Sequence, residues 1–247
     1  MTNISKLAKT LAVATLCMAL SPSWAQKAGD LILSVGAAYM KPNASIGPLT
    51  SISSNPGTQT TFQGKVNGGT ASIKGTSTET LGAFYMWTDQ IATELTIGIP
   101  PKMTVDVGLP SSGAFPGAAS AKVVDPSLVA KYLFKNPGDD IRPYLGLGVT
   151  QASFTSVQAG SDPLVTALAG TSVSLSSSWA PVFNAGFLYN IDAKWSVNTS
   201  LSYVPLKTNV TFVGPGDARI PGNAPVTTTG VLTVNPWDLV IRIGYKF

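Results

Sequence analysis
The chain has 247 residues, 44% of them hydrophobic and only 11% charged, with 24 glycines, 18 prolines, one cysteine, no histidine and a formal net charge of +4. This is too apolar for a disordered chain, and a single cysteine cannot build a disulfide framework. Without imidazole there is no histidine base or histidine metal ligand, and the small, scattered positive charge offers no basic face for nucleic acid.

The pass along the chain begins with an address. Lys6 and Lys9 form a positive start, residues 11–20 (LAVATLCMAL) an apolar core too short to cross a bilayer, and Ser23-Trp24-Ala25 a cleavage site. Residues 1–25 are therefore expected to be a signal peptide and 26–247 a single mature domain, free of cysteine because Cys17 lies in the leader.

Residues 31–40, 80–87, 91–99, 127–134, 142–154, 179–189, 195–204 and 237–247 alternate in polarity with the period of two that marks strands. The last is the clearest: Trp237, Leu239, Ile241, Ile243, Tyr245 and Phe247 share one face, and Asp238, Val240, Arg242, Gly244 and Lys246 the other. The connections alternate too. Residues 88–90, 135–141 and 190–194 are short turns, while 41–79, 100–126, 155–178 and 205–235 are long and rich in Gly, Ser, Thr and Pro. Eight strands joined in this way imply an all-β, antiparallel, up-and-down transmembrane barrel, with three short periplasmic turns and four long extracellular loops.

The strand charges Glu94, Lys131, Arg142, Asp238, Arg242 and Lys246 all fall opposite the large apolar residues. Apolar side chains outward suit lipid, where a misplaced Lys or Arg costs about 2–4 kcal/mol at mid-depth. The six charges are expected to form a polar plug in the lower lumen, paired because buried charges must be. Trp87, Trp179, Trp195 and Trp237 stand at strand ends, as an aromatic girdle at the two membrane interfaces requires, and the strand middles are expected to lack aromatics. An open sheet edge in hydrocarbon would leave backbone groups unpaired, so the first strand must meet the last.

Several stretches resemble the OmpW family of small outer-membrane barrels. These are Ala28-Gly29-Asp30-Leu31, Tyr39-Met40-Lys41-Pro42, residues 81–89 (LGAFYMWTD), residues 142–149 (RPYLGLGV), Ser178-Trp179-Ala180-Pro181 and Asn235-Pro236-Trp237-Asp238. Residues 195–211 resemble its alkane-uptake branch, the AlkL-like proteins, and the terminal Phe247 resembles the signal read by the outer-membrane assembly machinery. The resemblance implies residence in the outer membrane of a Gram-negative bacterium, among its lipid and lipopolysaccharide. It also implies passive passage of small apolar solutes from an outward-facing pocket, sideways through the wall, with no cofactor and no enzymatic activity. The alternative is a structural or adhesive barrel whose loops bind partners or phage.

Met40, Phe154 and Val182 are the expected pocket residues. Phe62, Leu109 and Phe115 are further loop candidates, while Val129 and Tyr144 face inward but lie too low on the strand pattern. Asp162-Pro163 through Gly170 carries the N-cap, first-turn proline and terminal glycine of a short helix that could form a lid.

Overall fold
The computed structural model describes residues 26–55, 60–110, 113–216 and 225–247; residues 1–25, the expected signal peptide, lie outside them, as does the side chain of Phe62. In chain order come β1 (Leu31–Lys41), β2 (Ser45–Ile46), β3 (Leu49–Asn55), β4 (Thr60–Val66), β5 (Thr70–Ile73), β6 (Thr76–Met86) and β7 (Ile91–Gly98). Next are β8 (Lys102–Leu109), β9 (Gly113–Val124), β10 (Ser127–Leu133), β11 (Ile141–Ala159), helix α1 (Pro163–Ala169) and β12 (Ser172–Leu175). The chain closes with β13 (Ser178–Asn190), β14 (Trp195–Tyr203), β15 (Lys207–Gly214), β16 (Val226–Thr233) and β17 (Trp237–Lys246).

β1, β6, β7, β10, β11, β13, β14 and β17 form one antiparallel ring. β1 sits between β6 and the last strand, with Val35 opposite Ile243 and Leu81. Every barrel strand thus has two neighbours, and the ring has no edge strand. The outer face is apolar, with Ile241 53% and Leu147 60% exposed, whereas Glu94 and Arg242 are only 3% and 2% exposed. In water, each such uncovered Leu or Ile would forfeit about 1.5–3 kcal/mol; against acyl chains the same surface is at home.

The four long connections differ from expectation. They are not plain loops but carry β2–β5, β8–β9, α1 and β12, and β15–β16. β9, β8 and β5 continue the wall upward from the overlong β11, while β12, β15, β16, β3 and β4 form a second sheet, with β2 on β16. Met103, Val105 and Val107 in β8, and Val226, Leu232 and Val234 around β16, supply alternating apolar residues that the surrounding Ser, Thr, Gly and Pro obscure. Loop segments of this length must also satisfy their backbone groups, and a neighbouring strand does so.

Aromatic side chains stand at the strand ends and, against expectation, also in the strand middles. Trp87, Trp179, Trp195 and Trp237 are all exposed at strand termini, and edge-on pairs such as Tyr85–Trp87 and Trp195–Tyr245 pack along the short-turn rim. Phe183 and Phe187, however, are exposed within β13. Having no polar tip, phenylalanine gains nothing from an interface and is at ease at mid-depth.

Candidate functional site
The lumen is divided at mid-height by an ion cluster. Glu94 of β7 accepts from Lys131 of β10 through Oε2, and from Arg242 Nη2 of β17 through Oε1 at 2.8 Å. Asn198 Nδ2 donates to the same Oε1 at 3.1 Å, and the Tyr144 hydroxyl donates to Asn198 Oδ1 at 2.6 Å. Lys131 Nζ lies 4.1 Å from the centre of the Tyr144 ring, within cation–π range. The Arg242 guanidinium runs along the inner face of the wall to reach Thr96 Oγ1 at 3.0 Å, and it can do so because Gly82 lies beneath it: a Cβ there would stand 2.8 Å from Nη1. Burying these charges is tolerable only because each is paired and hydrogen-bonded.

The expected six-charge plug is therefore corrected. Glu94, Lys131 and Arg242 come together; Arg142, Lys246 and Asp238 do not join them. Arg142 is fully buried near the short-turn end, where Nη1 donates to the Gln26 carbonyl at 2.6 Å and Nη2 donates to the Asp89 carbonyl. Lys246 pairs with Asp30 at 3.4 Å. Asp238, the second residue of β17, stands opposite Met40 near the long-loop rim. Alternation assigns a residue to the lumen but not to a height, and strand tilt decides which charges meet. Between the ion cluster and Arg142 the lumen is filled by Ile32, Phe84, Met86, Ala92, Leu133, Tyr144 and Leu188, so the lower plug is largely apolar and aromatic.

Above the ion cluster the lumen opens into a cavity of about 120 Å³. Met40, Phe154 and Val182 all line it, joined by Met103, Val123 and Ala121 from β8 and β9, and by Val204, Leu206, Leu232 and Val234 from the loops. Val129, set too low by its place in the sequence, also lines it, while Tyr144 lies below with the lower cluster. Leu109 packs against the apolar cluster under the loops, and Phe115 is buried within β9; neither lines the cavity. α1 forms as expected, with Val165 N–H donating to Asp162 Oδ1 at 3.3 Å, yet no described residue of it lines the cavity. The residues missed by the sequence reading come mainly from strands it took for loops; the alternation in 102–107 was the available signal. Asp125, between β9 and β10, also faces the cavity, and burial pushes its carboxyl up to about 6. Among the described residues, no three His, Cys, Asp or Glu side chains gather as metal ligands.

The barrel wall is not continuously laddered around this cavity. β7 and β10 pair up to Thr96 opposite Ser127, and the next backbone bond above joins Val123 N–H to the Pro101 carbonyl at 3.2 Å. Pro100 and Pro126 lie in the interval and have no N–H to give.

The sequence pattern of the OmpW family matches residues 27–247. The chain belongs to the OmpW family. It is an outer-membrane protein of the Gram-negative type. Outer membrane protein W of Vibrio cholerae is 26% identical over 234 residues, covering 92% of this chain and 93% of that protein. Outer membrane protein AlkL of Ectopseudomonas oleovorans is 27% identical over 177 residues, 71% of this chain and 68% of that one. The crystal structure of OprG from Pseudomonas aeruginosa superposes with a TM-score of 0.73 at 26% identity, covering 91% of this chain and 99% of the other. The OmpW-family barrel seen here thus combines a closed lower lumen with an apolar chamber above it.

Proposed function
We propose that the barrel gives passive passage to small hydrophobic molecules, as an AlkL-like member of its family. The observation that carries this reading is an apolar cavity standing directly on a sealed floor. A pocket for an apolar solute needs a concave hydrophobic surface with few polar groups. A solute held there has no aqueous route downward, because ion cluster and apolar packing fill the lumen. The unladdered interval between β7 and β10, bordered by Pro100 and Pro126, is the exit into the bilayer. In this reading residues 1–25 are a cleaved signal peptide, the long connections face outward through the lipopolysaccharide, and the short turns face the periplasm. Trp87, Trp179, Trp195 and Trp237 anchor the two interfaces, and Phe247 is read by the assembly machinery.

The test is uptake of labelled octane by cells lacking the protein and complemented with wild type or Val182→Trp, which fills the cavity. Wild type restores uptake, and Val182→Trp, inserted in equal amount, stays at the level of the deletion strain. Uptake unchanged by deletion overturns the reading. Were a surface-binding phenotype lost on loop deletion while octane uptake stayed constant, the adhesive alternative would replace it.

A further inference from the structure
Among the polar side chains that line the upper cavity, Asn184, Asp238 and Asp125 form one group of hydrogen-bond acceptors. Asn184 of β13 lies opposite Ser202 of β14, and Ser202 lies opposite Asp238 of β17, so the three form one row across adjacent strands. Asn184 Nδ2 donates to Ser202 Oγ at 2.9 Å, which turns the amide oxygen away from that bond. Asn184 Oδ1 and Asp238 Oδ1 are both buried without a hydrogen-bond partner, and Asn184 as a whole is only 8% exposed. Asp125 faces the same cavity. Among the described residues no basic side chain is in ion-pair range of either carboxylate, because Lys131 and Arg242 are committed to Glu94 below.

The two open positions in this group, Asn184 Oδ1 and Asp238 Oδ1, are both acceptors, and Asp125 adds a second acidic side chain to the same lining. An unpaired buried acceptor costs about 1–3 kcal/mol. A hydroxyl would supply a single donor, and a carboxylate would add like charge. An ammonium supplies three donors and the opposite charge. We propose that Asp125, Asp238 and Asn184 form a subsite for the primary ammonium of an otherwise apolar amine, whose hydrocarbon part lies against Met40, Val182 and Phe154. The proposal rests on the passage reading above and specifies one class of solute that the chamber prefers.

The test uses the full mature barrel in lipid nanodiscs at neutral pH, with empty nanodiscs as the partition control. Hexylamine, 1-hexanol and hexanoate are titrated separately while the Asn184 side-chain amide and the Val182 methyl signals are followed by NMR. Hexylamine is expected to half-saturate both signals at a concentration about tenfold or more below that of 1-hexanol, the effect of roughly one charge-assisted contact. The isosteric double variant Asp125→Asn/Asp238→Asn erases that preference, while the Val182 methyl signal still responds to 1-hexanol. Asn184→Leu reduces the preference by a smaller factor and provides a second variant should the double one fold poorly. Equal binding of hexylamine and 1-hexanol, stronger binding of hexanoate, or a preference that survives the double substitution overturns the subsite while the passage reading stands. If none of the three perturbs Val182, both proposals fall.

Discussion

The two halves of the lumen are built from the same eight strands and do opposite things. Below mid-height, Phe84, Met86, Leu133, Tyr144 and Leu188 fill the tube, and Arg142 closes its end on backbone carbonyls. Above mid-height the strands carry small or slim inward residues, among them Ala38, Gly98, Ala152 and Val182, and a cavity remains. An eight-stranded barrel is just wide enough for side chains to fill it. Whether it is plug or chamber therefore depends on the volume of the side chains that meet at each height, with Glu94, Lys131 and Arg242 at the border.

Replacing Glu94 with Leu should break the comparison most severely. Lys131 and Arg242 would be left buried without their anion, and losing one partner of such a cluster costs about 3–5 kcal/mol. Urea unfolding of the refolded barrel, followed by gel mobility, would show a matching fall in stability. An unchanged midpoint would mean that the border is not electrostatic.

Ile241→Arg tests the wall rather than the lumen. Ile241 neighbours the buried Arg242 in sequence but points to the outside, midway along β17. The expected loss is about 2–4 kcal/mol in a lipid bilayer. A neutral result in the same unfolding assay would place water, not lipid, on that face.

A smaller effect sharpens the description of the upper half. The Asp125 carboxyl titrates at about 6 when folded against an ordinary value of 3.8. Its folded value is raised, so the native state holds the proton more tightly than the unfolded chain does. Its influence favours the fold below pH 3.8 and is lost as pH rises through about 6, by at most roughly 3 kcal/mol. Stability measured from pH 4 to pH 7 should fall in wild type, and Asp125→Asn should remove that part of the slope.

The smallest expected effect separates function from stability. Val182→Trp adds volume where a cavity already exists, so its unfolding free energy should move by less than about 1–3 kcal/mol, the usual range for overpacking a filled core. A larger loss would mean that the upper half is packed as tightly as the lower.

The barrel strands were readable because lipid outside and polar groups inside impose a period of two that survives along a single strand. The pairing of Glu94 with Lys131 and Arg242 was not, since it joins β7, β10 and β17 across the tube. Asp238 shows the same limit from the other side. It shares the parity of Arg242 but lies four residues higher on β17, opposite Met40, and belongs to the chamber. The strands of the long connections escaped notice because their turns and polar residues dilute the alternation, although Met103 and Val105 carry it.

The sequence by itself determined the ring of alternating strands and the lipid-facing side of each, because both follow from local period and composition. Only the tertiary structure decided the height at which each inward residue sits, which charges pair and where space is left. Those depend on strand tilt, register and the summed volume of side chains from opposite walls, none of which is a property of any one segment.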